Sequence, residues 1–303
     1  MLGLAGCTAL PSPVAPGVEL TTVAFHAQDA FQCGPAALAS LLNDAGVDIG
    51  PDALRPEVFI PARQGSLQAE LLAAARRHDR LPYVIDPDTE ALRRQLDAGR
   101  PVLVLQNFGS RGSPVWHYAV VVGYEAGARA WLLRSGAERR QRLPARRFDA
   151  TWARADRFGF VLARPGDIPA GATPTRYLAA VTGLEAAGRR DAAARAYAAA
   201  ATHWPEEPAA AFAYAGSQIA AGDPLGAEAT YRRLLEGSPQ YTAARNNLAV
   251  LLARRGCQAA AGRELEAARA SDSGRFAAEL ADTAAELESH AAHSADAARC
   301  PAP

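Results

Sequence analysis

Residues 33–46 read CGPAALASLLNDAG: a cysteine, a Gly-Pro step, a run of small and apolar residues, and a closing glycine. Proline is tolerated in the first turn of a helix, and Leu38, Leu41 and Leu42 recur at the spacing of one helical face. Gly46 is a stop signal, so the stretch predicts a helix from Pro35 to Ala45. Cys33 then sits at a helix N-terminus, where unpaired N–H groups and the macrodipole lower a thiol pKa. Gly34 leaves room for a substrate backbone to approach. Cys33 is therefore a small hydrophobe, half of a disulfide, or a nucleophile, and the rest of the chain has to decide.

Outward from this helix the patterns alternate. GSLQAELLAAARRHD predicts a second helix, with Ser66 as N-cap and Leu67, Leu71, Leu72 and Ala75 as its apolar stripe. DTEALRRQLDAG predicts a third, ending at Gly99. The period then changes: PVLVLQNF, HYAVVVGY, ARAWLLRSG and RFGFVLARP are short runs rich in Val, Leu and aromatics, and Gly127 suits a hairpin between two of them. Helices first and strands afterwards describe an α+β domain over residues 18–165.

After Pro165 the strand signals stop. Residues 166–175 are a Gly, Pro and Thr-rich linker, and beyond them lies a repeat. Gly188, Gly222 and Gly256 are 34 residues apart, and Tyr197, Tyr231 and Leu265 keep the same step, as do Pro205 and Pro239. A 34-residue period with Gly between helices and an aromatic in the second helix resembles the tetratricopeptide repeat. The resemblance covers about three units, and residues 176–290 are expected to form an all-α solenoid in which SGRFAAELADTAAELES is the capping helix. Residues 291–303 are read as a tail.

Composition excludes several function classes. Lys plus Arg and Asp plus Glu both total 32 in 303 residues, so no basic excess offers a nucleic-acid surface. There is no lysine at all, hence no phosphate loop of the Gly-Lys-Ser/Thr kind. No segment approaches the ~20 apolar residues of a membrane span. No metal or cofactor is expected: HAAH at 290–293 has a spacing that suits a helix but lacks a third ligand. RRHDR and ERRQR read as solvated charge runs, either of which could meet an acidic partner.

A thiol nucleophile needs a base and a donor for the oxyanion. His117 opens the strand HYAVVVGY, and a strand can hold an imidazole rigidly against a packed helix. His26 is nearer Cys33 in sequence but has no strand to fix it. Gln28 and Gln32, just ahead of the cysteine, both carry an amide that can point at an oxyanion. The stretches AQDAFQCGPAALASLL and WHYAVVVGY together resemble the papain-like cysteine peptidases that trim double-glycine leaders from bacteriocin precursors, and their free-standing relatives. The resemblance implies a papain-like fold over about residues 20–165. It makes Cys33 the nucleophile, His117 the general base and Gln28 the oxyanion donor, with Gln32 the weaker choice. In that family an Asp or Asn shortly after the His strand orients the imidazole, whereas the matching stretch WLLRSG offers Ser135. A hydroxyl accepts from the imidazole N–H but brings no charge; Asp149 and Asn107 are alternatives that the sequence does not rank.

The N-terminal residues Leu4-Ala5-Gly6-Cys7 look like a bacterial lipobox, which implies lipid on Cys7 and a precursor that starts upstream. Residues 1–17 then form the lipobox and a Pro-rich tether. In an exported chain Cys257 and Cys300 could pair. The sequence thus points to a cell-envelope thiol peptidase whose repeats recruit a protein or peptide partner, with membrane contact only through a lipid anchor. The rival is a catalytically dead peptidase fold that serves as a binding scaffold.

Overall fold

In chain order the computed structural model contains β1 (Val18–Glu19), α1 (Cys33–Asp44), α2 (Pro51–Val58), α3 (Gln68–Arg77), β2 (Leu81–Val84), α4 (Thr89–Asp97), β3 (Val102–Asn107), β4 (Trp116–Glu125), β5 (Ala130–Ser135), β6 (Glu138–Pro144), α5 (Ala145–Ala153) and β7 (Gly159–Ala163). The helices that follow are α6 (Pro174–Ala186), α7 (Arg190–His203), α8 (Pro208–Ala220), α9 (Pro224–Gly237), α10 (Thr242–Arg254), α11 (Gln258–Ser271) and α12 (Ala277–Ala291). The described residues are 17–27, 32–127, 129–291 and Cys300. They divide into two units: the first runs to Leu162 and includes Pro169–Gly171, the second holds Ala163–Ile168 and the chain from Ala172.

The first unit is an α/β sheet domain. Its strands lie in the order β2-β7-β3-β4-β5-β6, with β1 paired to β4. Side chains alternate across a strand, and β4 shows what that sorting achieves. Tyr118, Val120 and Val122 pack into one core with Leu38, Leu41 and Leu42 of α1, Leu54 of α2 and Leu71 of α3. On the other face Trp131 meets Phe148, and Phe148 meets Trp152, with ring centroids 5.3 and 5.5 Å apart, seating α5. Each leucine taken fully out of water is worth about 1.5–3 kcal/mol, so α1, buried from Gly34 to Leu42, is the main anchor of this layer.

The segment ahead of α1 is tied at two places. Arg134, buried on β5, donates to the carbonyl oxygens of Val23, Leu20 and Arg139 at 3.3, 3.4 and 2.6 Å. Asn43 of α1 holds His26 Nε2 at 2.8 Å through Oδ1, while its Nδ2 donates to the carbonyls of Val47 and Ile49. His26 thereby has a structural task. Residues 20–26 are thereby tied to both sheet and helix.

Several local expectations change. Helix α1 begins at Cys33 itself, with Gln32 at its cap position. Ser66 is not an N-cap: α3 starts at Gln68 behind Leu67, and the Ser66 hydroxyl is buried with no hydrogen-bond partner. It packs on Gly34, where an added Cβ would sit only 2.4 Å from Ser66 Oγ, so tertiary packing has overridden the capping preference. ERRQR is an exposed charge run with acidic partners, and it is also a strand. It lies in β6, at the edge of the sheet, where arginines can point to water and still pair through the backbone. Arg140 meets Glu19, and Arg142 meets Glu125. The short β1, β2, α2 and α5 carried no periodicity long enough to read.

The second unit is an all-α repeat region, with seven helices among the described residues. Gly188, Gly222 and Gly256 occupy the turns within the pairs α6–α7, α8–α9 and α10–α11 with φ of 76°, 78° and 79°, a left-handed conformation that glycine adopts without steric cost. Tyr197, Tyr231 and Leu265 are buried at equivalent places. Glu228 of α9 is shared by Arg232 and Arg255. Cys257, at the cap of α11, and Cys300 are joined by a disulfide.

Candidate active site

Cys33 opens α1 and is the one unpaired cysteine among the described residues. Burial pushes its thiol pKa up, and the backbone N–H groups of Tyr118, Gly34 and Cys33 offset this only in part. The N–H groups at the helix start thus lower the thiol pKa in the expected direction, and burial outweighs them.

His117 is the second residue of β4, paired across the sheet with Gln106 of β3. Its Nε2 lies 2.9 Å from Ser135 Oγ at the end of β5. Phe108 stacks on the ring, with centroids 5.2 Å apart and planes 27° from parallel. Burial lowers the imidazole pKa to about 4, so the ring is neutral near pH 7. With Nε2 turned to Ser135, Nδ1 is the nitrogen left to take a thiol proton.

Cys33 and His117 line one cavity of about 730 Å³. Two chain segments supply most of its wall: residues 63–68, between η-turn Pro61–Arg63 and α3, and residues 114–118 at the start of β4. The cavity can thus offer a sulfur nucleophile, a neutral base and an orienting hydroxyl, and it can bury the substrate around them.

The other sequence candidates are engaged elsewhere. Asn107 accepts from the backbone N–H groups of Gly109 and Val115 at 2.9 and 3.0 Å, which shapes the loop before β4. Asp149 pairs with Arg157 at 3.1 Å. Gln32 forms no side-chain cap, and Gln28 and Cys7 lie outside the described residues. Among the described residues no cluster of His, Cys, Asp or Glu suits a metal, and no helix is long and apolar enough to cross a membrane. His293 of HAAH lies outside them.

Three contributors had no readable signal in the sequence. Ser66 reaches Gly34 from another element. Phe108 folds back on His117 because its N–H donates to the Val115 carbonyl at 2.9 Å. The Tyr118 N–H supports the sulfur although its side chain belongs to the core. Only Trp116, adjacent to His117, carried a hint by position.

Residues 20–159, a little under half of the chain, match the model of the Peptidase_C39 like family. No curated protein matches the chain. A Bacillus anthracis protein described as a C39-like peptidase is similar over 50% of this chain and 98% of its own, at 16% identity and a TM-score of 0.41. The Yersinia enterocolitica type III secretion chaperone SycD is similar over 39% of this chain and 94% of its own in complex with a peptide of the translocator YopD, at 15% identity and a TM-score of 0.36. A second structure of SycD gives 38%, 81%, 14% and 0.36 for the same quantities.

Proposed function

We propose that the first unit is a working cysteine peptidase in which Cys33 is the nucleophile, His117 the general base and Ser135 the orienting residue. The observation that carries the reading is that Cys33 and His117 line one cavity while Ser135 Oγ stands 2.9 Å from His117 Nε2, which leaves Nδ1 to serve the thiol. A C39-like match over residues 20–159 supports a peptidase fold around them.

Because burial disfavours both charged partners, the proton moves during attack and not before it. Nδ1 of His117 accepts the thiol proton as Sγ bonds to the scissile carbonyl carbon. The carbonyl electron pair moves to oxygen, where Gln28 and backbone N–H groups at the start of α1 donate to it. Nε2 carries its hydrogen throughout and donates it to Ser135 Oγ, which fixes the ring without adding charge. Collapse breaks the C–N bond, and the leaving amine takes the proton from the imidazolium. Water then attacks the thioester, giving its proton to Nδ1, and the acid departs as the thiol is restored.

Export with lipid on Cys7, and recruitment of a protein or peptide partner by tetratricopeptide-like repeats, belong to the same proposal. The repeats are supported by the 34-residue step of Gly188, Gly222 and Gly256, each at a helix-pair turn. Protein expressed from an upstream start should partition with membranes, and Cys7→Ser, which cannot be lipidated, should be found in the soluble fraction.

A second reading, a peptidase-fold scaffold without turnover, is favoured by one specific observation. The group facing His117 is a hydroxyl and no carboxylate, so nothing holds an imidazolium against its burial. One experiment separates the two: a diverse peptide library incubated with wild type and with Cys33→Ala, read by mass spectrometry. Cleavage products that vanish in Cys33→Ala support the peptidase. Identical peptide profiles for the two proteins leave the scaffold.

A further inference from the structure

We infer that the cavity selects an extended peptide carrying a bulky apolar residue, of Leu or Phe size, and admits basic residues poorly. This deepens the peptidase reading and takes its biological sense from it, but it stands on the shape and chemistry of the cavity wall.

Seven large hydrophobic side chains are exposed among the described residues, and four of them cluster at this one place. Trp116 and Val115 are 53% and 56% exposed, Phe108 45% and Leu67 36%. Leu67, Val115 and Trp116 line the cavity that holds Cys33, and Phe108 lies against His117. Single exposed hydrophobics need no explanation, whereas a concentration of them beside a nucleophile marks a surface that something covers. Nor are they loose ends, since Asn107 Oδ1 holds the N–H of Val115 and so fixes the loop that presents the patch.

The opposite segment of the wall says what kind of molecule covers it. Gln64 and Gln68, whose side chains end in amides, line the cavity there. A peptide backbone can satisfy such groups while its side chain lies on Trp116. An acyl chain would leave them unpaired, at the full cost of desolvation. The charge pattern narrows the choice further. Arg63 is the single side chain of fixed charge in the described lining, so a Lys or Arg side chain meets repulsion there. At about 730 Å³ the cavity has room for more than glycine or alanine.

The test measures binding without turnover. Full-length Cys33→Ala protein is titrated by calorimetry with blocked, otherwise identical Ala/Ser peptides that carry Gly, Leu, Phe or Lys at one central position, and with dodecanoate as an acyl probe. Leu and Phe peptides should bind roughly tenfold more tightly than Gly, the discrimination a hydrophobic pocket achieves over a few methylenes, with Lys the weakest. Trp116→Ala should bring Leu and Gly within about twofold of each other. Val115→Ser, a substitution at a half-exposed position, should have a smaller effect of the same sign. Equal binding of Leu and Gly, preference for Lys, dodecanoate binding without peptide binding, or a Leu preference that survives both substitutions would each overturn the inference. So would a protein that dimerises through this face and binds no peptide. Selective binding by peptides that wild type never cleaves would remove the peptidase reading and leave this inference intact; cleavage without any apolar preference would do the reverse.

Discussion

Lowering the pH from 7 to 4 should weaken the first unit by roughly 3 kcal/mol through His117 alone. In the unfolded chain this imidazole titrates at its ordinary value of 6.5, whereas in the folded protein burial holds it down at about 4. As the pH falls through 6.5 the unfolded state takes up a proton that the folded state refuses. The contribution of the neutral ring to stability is therefore present above the unfolded pKa and is lost progressively down to the folded one. The gap of 2.5 units (6.5 minus 4), at about 1.4 kcal/mol per unit, sets the size. That is a substantial share of the ~5–15 kcal/mol by which a domain is stable. Glu57, held low by Arg77 and His78 against its own burial, contributes in the same direction in its own pH range, so wild type alone is not diagnostic. The comparison to make is urea unfolding of wild type and His117→Gln at pH 7 and pH 4, read by fluorescence. Glutamine can keep a contact with Ser135 but has no proton to take up. The second unit and every other titrating group are common to both proteins, and the difference in pH dependence should be roughly 3 kcal/mol. Identical pH dependence in the two proteins, or a His117 NMR titration near 6.5, would refute the reasoning.

Other outcomes follow from the same geometry. Ser135→Ala should lower kcat by about a hundredfold through loss of ring orientation, while Cys33 alkylation at alkaline pH stays within about twofold of wild type. An equal fall in both would point to a collapsed site. Gly34→Ala places a Cβ 2.4 Å from Ser66 Oγ and 2.7 Å from its Cβ, and should cost about 1–3 kcal/mol by urea unfolding. Ser66→Gly in the same chain should recover most of that loss, and no recovery would mean that the close approach is not the cause. Reducing the Cys257–Cys300 bridge, which closes 43 residues of sequence, should destabilise the second unit by roughly 4 kcal/mol, seen as an earlier melting step in circular dichroism. Melting curves that do not respond to reductant would contradict it.

Much of the fold was legible because it is locally encoded. The 3.6-residue spacing of Leu38, Leu41 and Leu42 needs only the nearby chain to become a helix, and the Val-rich run around Val120 needs only a neighbour to become a strand. The 34-residue step of the glycines is a property of the string itself, and it coincides with the helix-pair turns. What escaped were elements too short or too charged to show a period. Leu81–Val84 has four residues and a proline, and Glu138–Pro144 hides an edge strand under arginines.

At the site the division is sharper. Residue types and order nominated a cysteine at a helix start and a histidine opening a strand, and the family resemblance added a serine where an Asp or Asn is expected. Only the tertiary structure decides which polar group faces the imidazole: Ser135 stands at Nε2, while Asn107 turns to its own loop and Asp149 to Arg157. It also weighs on the protonation argument. The helix N-terminus that lowers a thiol pKa is local and can be read from Cys-Gly-Pro. The burial that raises it is a sum over the surrounding core, which includes residues such as Val120 brought in by strand pairing more than 80 residues along the chain. Propensity and periodicity act over a few residues and are written in order. Desolvation and steric approach act through space, and no stretch of sequence contains them.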